Sequence, residues 1–318
     1  MAPLDPAVAA VRGAVRRSLA GLPADSAVLV ACSGGADSLA LAAATAFVAP
    51  RLGLRAGLVT VDHGLQPGSS ARAAAVAAWG EQAGFVPSRA VSVEVGRSGG
   101  PEAAARAARY AALSEMSGAA TVLLGHTRDD QAETVLLALA RGAGPRGLAG
   151  MPRRRDRFVR PLLDVSRTDT RKACAALGLT PWEDPHNTDP AYARARVRRD
   201  ALPALIAALG PAVVDNLART AAQLAADTAH LDALAAAAMA DARTPNGLAV
   251  GKLTELPDAI RTRVLHAWAG ELGAGGAALS HRHVAALDAL VTDWHGQGAV
   301  ALPQDRHVVR RDGELRRL

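Results

Sequence analysis

The chain has 318 residues, 50% hydrophobic and only 3% aromatic, and a formal net charge of +6. This length allows one or two domains that each bury a core, and the basic balance favours a polyanionic partner such as nucleic acid. No apolar run is long enough to span a bilayer, and the first residues lack the basic and then apolar pattern of a signal peptide, so we expect a cytoplasmic protein that does not contact a membrane.

Residues 28–32 predict a buried strand that runs into a glycine-rich turn and then a helix over 38–48. Such a turn directs backbone N–H groups and a helix N-terminus at one point, which suits a phosphate. The kinase-type phosphate loop carries a lysine after its glycines, whereas this chain carries Asp37, and a carboxylate beside a phosphate suits Mg²⁺. We predict Mg²⁺ binding by Asp37 and phosphate binding by the whole hexad. Its members are Ser33, Gly34, Gly35, Ala36, Asp37 and Ser38.

Strand and helix patterns alternate through the first half of the chain. The predicted strands after the first are 54–61, 90–95, 121–125 and 158–163, and the predicted helices are 70–84, 101–117 and 129–141. Strands buried on both faces and separated by helices predict an α/β fold with a doubly wound, mostly parallel sheet. Such sheets bind ligands beyond the carboxyl ends of their strands. Three polar motifs follow predicted strands, at 33–38, 62–64 and 126–130, so we also place Asp62 and His63 in the nucleotide site.

The segment His126–Thr134 opens the helix after the fourth predicted strand. Acidic residues in a first helical turn complement the helix dipole, which is sufficient to explain one aspartate. It does not explain a histidine, two aspartates and a glutamate clustered at the ligand-binding edge of a sheet. We therefore consider His126, Asp130 and Glu133 candidate catalytic residues.

The pattern changes near residue 208, where we place a domain boundary between 1–208 and 209–318. Beyond it, a long segment rich in alanine and leucine at helical spacing predicts a helix over 213–242. Two further helices are predicted near 257–272 and 280–294. Short strands are predicted at 299–302, 307–310 and 314–317, with Asp312-Gly313 as a turn. The second domain is thus predicted to be mainly helical with short strands at its end.

The hexad 33–38 resembles the PP-loop of the ATP pyrophosphatase superfamily, whose members cut ATP between the α- and β-phosphates and transfer AMP to a carbonyl oxygen. The set of motifs resembles the tRNA(Ile)-lysidine synthetase family in particular. The matching segments are 62–65 (DHGL), 102–110 (EAAARAARY), 126–144, 147–151 (GLAGM), 160–163 (RPLL) and 184–189 (DPHNTD). The resemblance spans residues 25 to 205. The family often has Arg-Asn where this chain has Arg194-Ala195.

The resemblance implies adenylation of the C2 carbonyl of the wobble cytidine in a tRNA(Ile) with a CAU anticodon, followed by displacement of AMP by free L-lysine. ATP and Mg²⁺ are the implied cofactors. It implies that Asp130 and Glu133 orient lysine or cytidine, that Arg194 contributes to the site, and that Glu102 and Arg109 lie on the nucleotide side. The lysine amine must lose a proton, because its free pKa is about 10.4. The acceptor is a carboxylate or His126.

Two alternatives stay open at this point. A tRNA thiolase of the same superfamily would use the same adenylation, although Cys32 and Cys174 form no paired cysteine motif. A protein that binds nucleotide and tRNA without catalysis would release no AMP. Measuring AMP release therefore separates the enzymes from the binding protein.

Overall fold

The computed structural model describes residues 3–64, 66–96, 100–184, 189–275 and 278–318. It divides into two compact units, residues 1–224 and 225–318. The first unit contains the predicted α/β sheet. The boundary that the sequence suggests near residue 208 stays a proposal.

The sheet of the first unit has six strands in the order β3-β2-β1-β4-β6-β5. Five of them run parallel, and β5 pairs antiparallel with β6. The strands are β1 Ala27–Ala31, β2 Arg55–Asp62, β3 Ser88–Ser92, β4 Thr121–Leu124, β5 Arg154–Arg155 and β6 Phe158–Val159. The predicted fold class, a mostly parallel sheet followed by a smaller and mainly helical part, is confirmed.

Helices pack on both faces of this sheet or follow it along the chain. They are α1 Pro6–Leu19, α2 Ala36–Val48, α3 Ser69–Gln82, α4 Pro101–Ser117, α5 Arg128–Ala140, α6 Pro145–Leu148, α7 Arg167–Ala176, α8 Ala193–Arg196, α9 Leu202–Leu209 and α10 Val213–Ala242. A π-helical turn, Val197–Ala201, joins α8 to α9. The division between the two units falls within α10.

The main core lies where α1, α2 and α7 cover β1. α1 forms because Asp5 caps its first turn, accepting hydrogen bonds from the N–H groups of Ala7 and Val8, and because Pro6 stands at the first helical position. Its apolar residues recur at helical spacing, and Val11 and Val15 are completely or almost completely buried. The sequence-based prediction assigned no element to this segment, nor to α7.

Two predicted strands differ from the structure by more than one residue at an end. The third strand lies at Ser88–Ser92 rather than 90–95, and the fifth is only Phe158–Val159 rather than 158–163. Pro161 explains the early end of the fifth strand, because proline has no N–H to donate to a ladder. The loop predicted at 244–247 leads into a strand, Gly247–Ala249, that was not predicted from the sequence.

The second unit combines helices with an antiparallel sheet in the order β7-β10-β9-β8. Its helices are the C-terminal part of α10, then α11 Val250–Thr254, α12 Asp258–Ala269 and α13 His281–Thr292; its strands are β7 Gly247–Ala249, β8 Val300–Leu302, β9 Arg306–Arg311 and β10 Glu314–Arg317. The three predicted C-terminal strands are present. A separate core that includes Leu265, Leu287 and Leu315, all completely buried, stabilises this unit.

Among the described helices, none is long and apolar enough to cross a membrane by itself. The segments 193–209 and 213–242 meet the length and composition of a span only when taken together, and they are bent by 101° relative to each other.

Candidate active site

The turn between β1 and α2 has the geometry of a phosphate-binding loop. Gly34 has φ +85°, and a Cβ at this position would lie 3.0 Å from Cγ2 of Val76, so glycine is required for both reasons. Gly35 is the N-cap of α2 in an extended conformation and makes no side-chain cap. The first N–H groups of α2 therefore keep donor capacity for an anion.

Ser38 holds this turn in shape. Its hydroxyl accepts from the N–H of Ser33 at 3.1 Å and donates to the carbonyl of Gly35 at 2.9 Å. Ser38 is buried, whereas Ser33 is exposed. Of the two predicted serines, Ser33 is the one that is accessible to a ligand, and Ser38 mainly fixes the loop.

A cavity of about 420 Å³ lies at the carboxyl ends of β1, β2 and β4, where the sequence predicted the site. We call it the strand-end cavity. The predicted residues that line it are Ser33, Gly35, Ala36, Asp37, Ser38, Asp62, His63, His126 and Asp130. Gly34, Glu133 and Arg194 were also predicted but are not among its lining residues. Arg109, which the resemblance places on the nucleotide side, also lines the cavity, and the tertiary structure adds Arg72, Arg167, Arg171, Trp182 and Arg198 to the lining.

Asp37 lies in the first turn of α2. It accepts a hydrogen bond from the hydroxyl of Thr170, and its Oδ2 lies 3.7 Å from Nε of Arg167. Burial, with the nearby charge of Asp130, raises the pKa of Asp37 to about 6 although Thr170 and Arg167 oppose the shift. Asp37 is thus a carboxylate whose negative charge is only partly compensated.

Asp130 caps α5 and lines the cavity at the same time. Its Oδ2 accepts from the N–H and the hydroxyl of Thr127, at 2.8 and 3.0 Å, which completes a capping box. Its Oδ1 accepts from Arg167 at 2.9 Å. Burial by itself would raise the pKa of Asp130, but Arg167 and the Thr127 amide outweigh it, so this pKa lies below its ordinary value.

Glu133 is completely buried behind the cavity wall and is surrounded by arginines. Its Oε1 accepts from Arg167 at 3.1 Å and from Nε of Arg198 at 2.8 Å. Its Oε2 lies 3.2 Å from Nε of Arg194, and Nη2 of Arg194 donates to the hydroxyl of Thr134 at 2.6 Å. Glu133 and Arg194 therefore support the cationic wall, while Arg167 and Arg198 reach the cavity itself.

Asp62 and His63 follow β2 as predicted. Both carboxylate oxygens of Asp62 are occupied, since Oδ1 accepts from the N–H of Gly64 at 2.9 Å and Oδ2 from the hydroxyl of Ser70 at 2.6 Å. The hydrogen bonds from Ser70 and Ser69 lower the pKa of Asp62. Asp62 thus fixes the start of α3. His63 is different, because its buried Nδ1 has no hydrogen-bond partner among the described residues.

His126 lies at the end of β4 and lines the cavity. Burial, with the charges of Arg109, Arg160 and Arg106, lowers its pKa to about 3 although Asp130 opposes the shift. The imidazole is therefore neutral at neutral pH. Its Nδ1 is buried and has no hydrogen-bond partner among the described residues, which leaves it available to a ligand.

Arg167 is the main site residue that was not predicted from the sequence. It is the first residue of α7. The N-cap of this helix, Ser166, accepts a hydrogen bond from the N–H of Asp169 at 3.0 Å, and the Ser-x-x-Asp spacing could have predicted the start of a helix from the sequence. The backbone N–H of Arg167 donates to Asp129 at 2.8 Å, which holds the starts of α5 and α7 together. No local pattern placed this guanidinium between Asp37, Asp130 and Glu133.

Trp182 and Arg72 cover another part of the cavity. The N–H of Trp182 donates to the carbonyl of Gly34 at 2.9 Å, and the guanidinium of Arg72 lies 4.1 Å from the centre of the indole ring. Residues 185–188, which carry the Asn187 motif, and the side chain of Glu102 lie outside the described residues.

Both cysteines are free and buried near the glycine loop. Burial raises the pKa of the Cys32 thiol, and burial with the charge of Asp37 raises the pKa of Cys174 to about 11. Cys174 Sγ donates to the carbonyl of Ala36 at 3.3 Å. Because a thiolate is the reactive form of cysteine, these shifts make both side chains less reactive than a free thiol.

The described residues contain no group of three or more His, Cys, Asp or Glu side chains arranged for a metal ion. Mg²⁺ does not need such a cage, because one or two carboxylates together with phosphate oxygens and waters complete its octahedron. Asp37 and Asp130 fit this requirement, since both line the same cavity and the charge of Asp130 contributes to the raised pKa of Asp37.

Comparison with known families identifies both parts of the chain. Residues 12–205 match the PP-loop domain family, and residues 248–316 match the family described as the TilS substrate binding domain. The chain is 67% identical to the tRNA(Ile)-lysidine synthase of Salinispora tropica, with 99% of this chain and 97% of that protein covered. The enzymes of the same name from Thermobifida fusca and Streptomyces coelicolor are 59% and 53% identical, each over at least 97% of both chains.

Among solved structures, the chain is similar to the U34-tRNA thiolase NcsA from Methanococcus maripaludis, described with its 4Fe-4S cluster. The TM-score is 0.56 at 18% identity, and the match covers 69% of this chain and 80% of the other. At this identity the similarity concerns the fold alone.

Proposed function

This chain belongs to the tRNA(Ile)-lysidine synthase family, and from that premise we propose that its strand-end cavity uses ATP to attach free L-lysine to the wobble cytidine of a tRNA(Ile) with a CAU anticodon. ATP use follows from the PP-loop family. The observation that carries the assignment to this cavity is the convergence of the glycine loop, Asp37, His126 and Asp130 on about 420 Å³ at one edge of the sheet.

The first step forms a bond between the C2 carbonyl oxygen of the cytidine and the α-phosphorus of ATP, and breaks the bond to the β-phosphate, releasing pyrophosphate. We assign pyrophosphate binding to the N–H groups of the loop after β1 and to Ser33. Arg167 and Arg198 line the cavity and supply positive charge where the transition state becomes more negative. Asp37 and Asp130 are the residues that would hold Mg²⁺, which neutralises phosphate charge when bound.

In the second step the lysine side-chain amine attacks C2 and AMP leaves. The sequence left the proton acceptor open between a carboxylate and His126. Because burial lowers the pKa of His126 to about 3, its imidazole is a weak base. We therefore assign the proton to a carboxylate of the cavity, and assign His126 a role as a neutral hydrogen-bonding group beside the reacting base.

Asp130 and Glu133 were expected to orient the lysine or the cytidine. In the structure each accepts from Arg167 and Arg198. We propose that Glu133 acts by holding these arginines from behind, because it is completely buried, and that Asp130, which lines the cavity, holds them where the substrates bind.

The second unit is proposed to contact the tRNA. Residues 248–316 match a substrate-binding family, and Arg282 and Arg311 are exposed within this range. Exposed arginines suit phosphate contacts, which position a nucleic acid without reading its sequence.

The decisive experiment incubates purified protein with ATP, Mg²⁺, tRNA(Ile) transcript and each proteinogenic amino acid in turn. We expect AMP release and a mass increase of the wobble cytidine with lysine alone. Absence of both AMP and modified cytidine would support the non-catalytic binding protein instead.

The thiolase alternative is disfavoured because both thiols are buried and their pKa values are raised, and it is tested by Cys174→Ser. A serine can also donate to the Ala36 carbonyl, so we expect this variant to keep lysidine formation. Complete loss of activity in a correctly folded Cys174→Ser protein would favour thiolase chemistry.

A further inference from the structure

A second cavity, of about 540 Å³, is lined by residues of α4 other than those that line the strand-end cavity. Its walls are α4 and the β5–β6 hairpin. Arg106, Arg155 and Arg160 border it, and Tyr110 and Phe158 form its apolar floor with Ala107. We call it the arginine-rimmed cavity. None of its residues was among the predicted catalytic or nucleotide-binding set.

The floor of this cavity is rigid and aromatic. The rings of Tyr110 and Phe158 are 4.8 Å apart between centroids, and the Tyr110 hydroxyl accepts from Arg160 at 3.3 Å. Arg160 is itself buried and donates to the carbonyl of Pro152 at 2.8 Å. The floor is therefore held by packing and hydrogen bonds before any ligand binds.

The rim carries excess positive charge. Arg106 and Arg155 are exposed, and Arg106 lies 4.9 Å over the Tyr110 ring and donates to its hydroxyl at 3.2 Å. Among the described lining residues, Asp156 in the hairpin turn is the one carboxylate. Neither Arg106 nor Arg155 forms an ion pair with a described residue. An aromatic floor, whose two rings are inclined by 58° to each other, below a cationic rim fits a ligand that has both a planar base and a negative phosphate.

The two cavities share one wall. Arg109 and Leu113 of α4 line the strand-end cavity, whereas Arg106 and Tyr110 line the second one. The two linings are in contact range, because the guanidinium of Arg109 in the strand-end cavity lies 5.9 Å from the centre of the Tyr110 ring in the second cavity. A strand of RNA that placed one base at His126 would thus have a neighbouring nucleotide within reach of the second cavity.

We propose that the arginine-rimmed cavity binds a nucleotide of the anticodon loop adjacent to the modified cytidine, with its base on the Tyr110–Phe158 floor or the Arg106 guanidinium and its phosphate at Arg155. This inference rests on the proposed function for the identity of the RNA. It adds a binding site that positions the loop, so that the target base enters the strand-end cavity in one register.

The test uses Arg106→Gln, Arg155→Gln and the double variant in the full-length protein. Both side chains are exposed, so the fold should be preserved. The matched control is Arg89→Gln, an exposed arginine on β3 at the opposite edge of the same sheet. Direct titration measures the dissociation constant of an anticodon stem-loop RNA over a range of salt concentrations.

We expect the double variant to bind the RNA about tenfold more weakly and its logarithmic salt slope to fall by about 0.7 for each phosphate that the protein no longer neutralises. The KM for ATP should stay unchanged, and Arg89→Gln should behave as the wild type. Equal RNA affinity and salt slope in the double variant and in Arg89→Gln would overturn the proposal.

A second arm removes the base from each nucleotide beside the target cytidine in turn. Wild-type protein should lose affinity for one of these abasic RNAs, and the double variant should lose less for the same RNA. Equal losses of affinity for the abasic RNA in both proteins would contradict the proposal. A double variant that binds free AMP more weakly but binds RNA as the wild type does would contradict it as well. Wild-type protein that binds RNA but releases no AMP would instead overturn the proposed function and leave the binding comparison intact.

Discussion

Arg198 holds Glu133 with two parallel hydrogen bonds: Nε donates to Oε1 at 2.8 Å and Nη2 donates to Oε2 at 3.1 Å. The two residues are 65 positions apart in the chain, on different helical segments. A bidentate arginine–carboxylate pair with a completely buried carboxylate fixes geometry more strictly than a surface pair does. It holds one guanidinium of the cavity wall in a single orientation.

Glu133→Ala should destabilise the protein strongly, by about 3–5 kcal/mol, because it leaves Arg167, Arg194 and Arg198 without their common buried partner. Urea unfolding at neutral pH measures the change. The matched control is Glu81→Ala, at an exposed position of α3, which should change the free energy of unfolding by less than about 0.5 kcal/mol. Equal stability of the two variants would contradict the assigned role of Glu133.

Gly34→Ala should reduce both stability and ATP affinity, since the residue has φ +85° and its Cβ would lie 3.0 Å from Val76. We expect a loss of about 1–2 kcal/mol in unfolding free energy and a higher KM for ATP. Gly13→Ala is the control, because Gly13 lies within α1 and alanine there should stabilise the helix by roughly 0.5–1 kcal/mol. An undiminished ATP affinity in Gly34→Ala would argue against phosphate binding by this loop.

Asp37→Asn should abolish AMP formation and yet stabilise the folded protein in alkaline solution. Burial raises the folded-state pKa of Asp37 to about 6 from 3.8, so ionisation costs folding free energy that is absent below pH 3.8 and complete above pH 6. The free energy of unfolding of the variant should therefore exceed that of the wild type by up to ~3 kcal/mol at pH 8. This difference should shrink as the pH falls from 6 to 4. Denaturant melts at these pH values, with direct titration of tRNA to show that RNA binding is retained, are the measurements. A stability difference that does not vary with pH would refute the assignment.

His126 should make the protein sensitive to acid. Burial lowers its folded-state pKa to about 3, so the unfolded chain takes up a proton first, and stability is lost as the pH falls from 6.5 toward 3. When the pH falls from 7.5 to 4.5, the free energy of unfolding of the wild type should decrease by about 2–3 kcal/mol more than that of His126→Gln. Urea unfolding at both pH values tests this, with the exposed His230→Gln as the control. If His126→Gln and His230→Gln showed the same dependence on pH, the imidazole would not be held neutral.

The local sequence determined the parts of the site that depend on neighbours along the chain. The run from Val28 to Ser38 predicts strand, turn and helix because apolar β-formers, a glycine with positive φ and a helix start follow one another directly. The alternation of such units predicts a mostly parallel sheet, whose strand ends meet at one edge. For that reason the sequence placed Ser33, Asp37, Asp62, His63, His126 and Asp130 on one cavity without knowledge of their distances.

Only the tertiary structure decided which charged groups face each other across that edge. Arg167 meets Asp130 and Glu133 from 37 and 34 positions away, and no periodicity encodes such a distance. The same packing places Glu133 behind the wall rather than in the cavity. Burial raises the pKa of Asp37, whereas the charge of Arg167 helps to lower the pKa of Asp130. Helix and strand patterns arise from contacts between near neighbours in the chain, whereas the charge state and accessibility of a buried side chain depend on every group that packing brings around it.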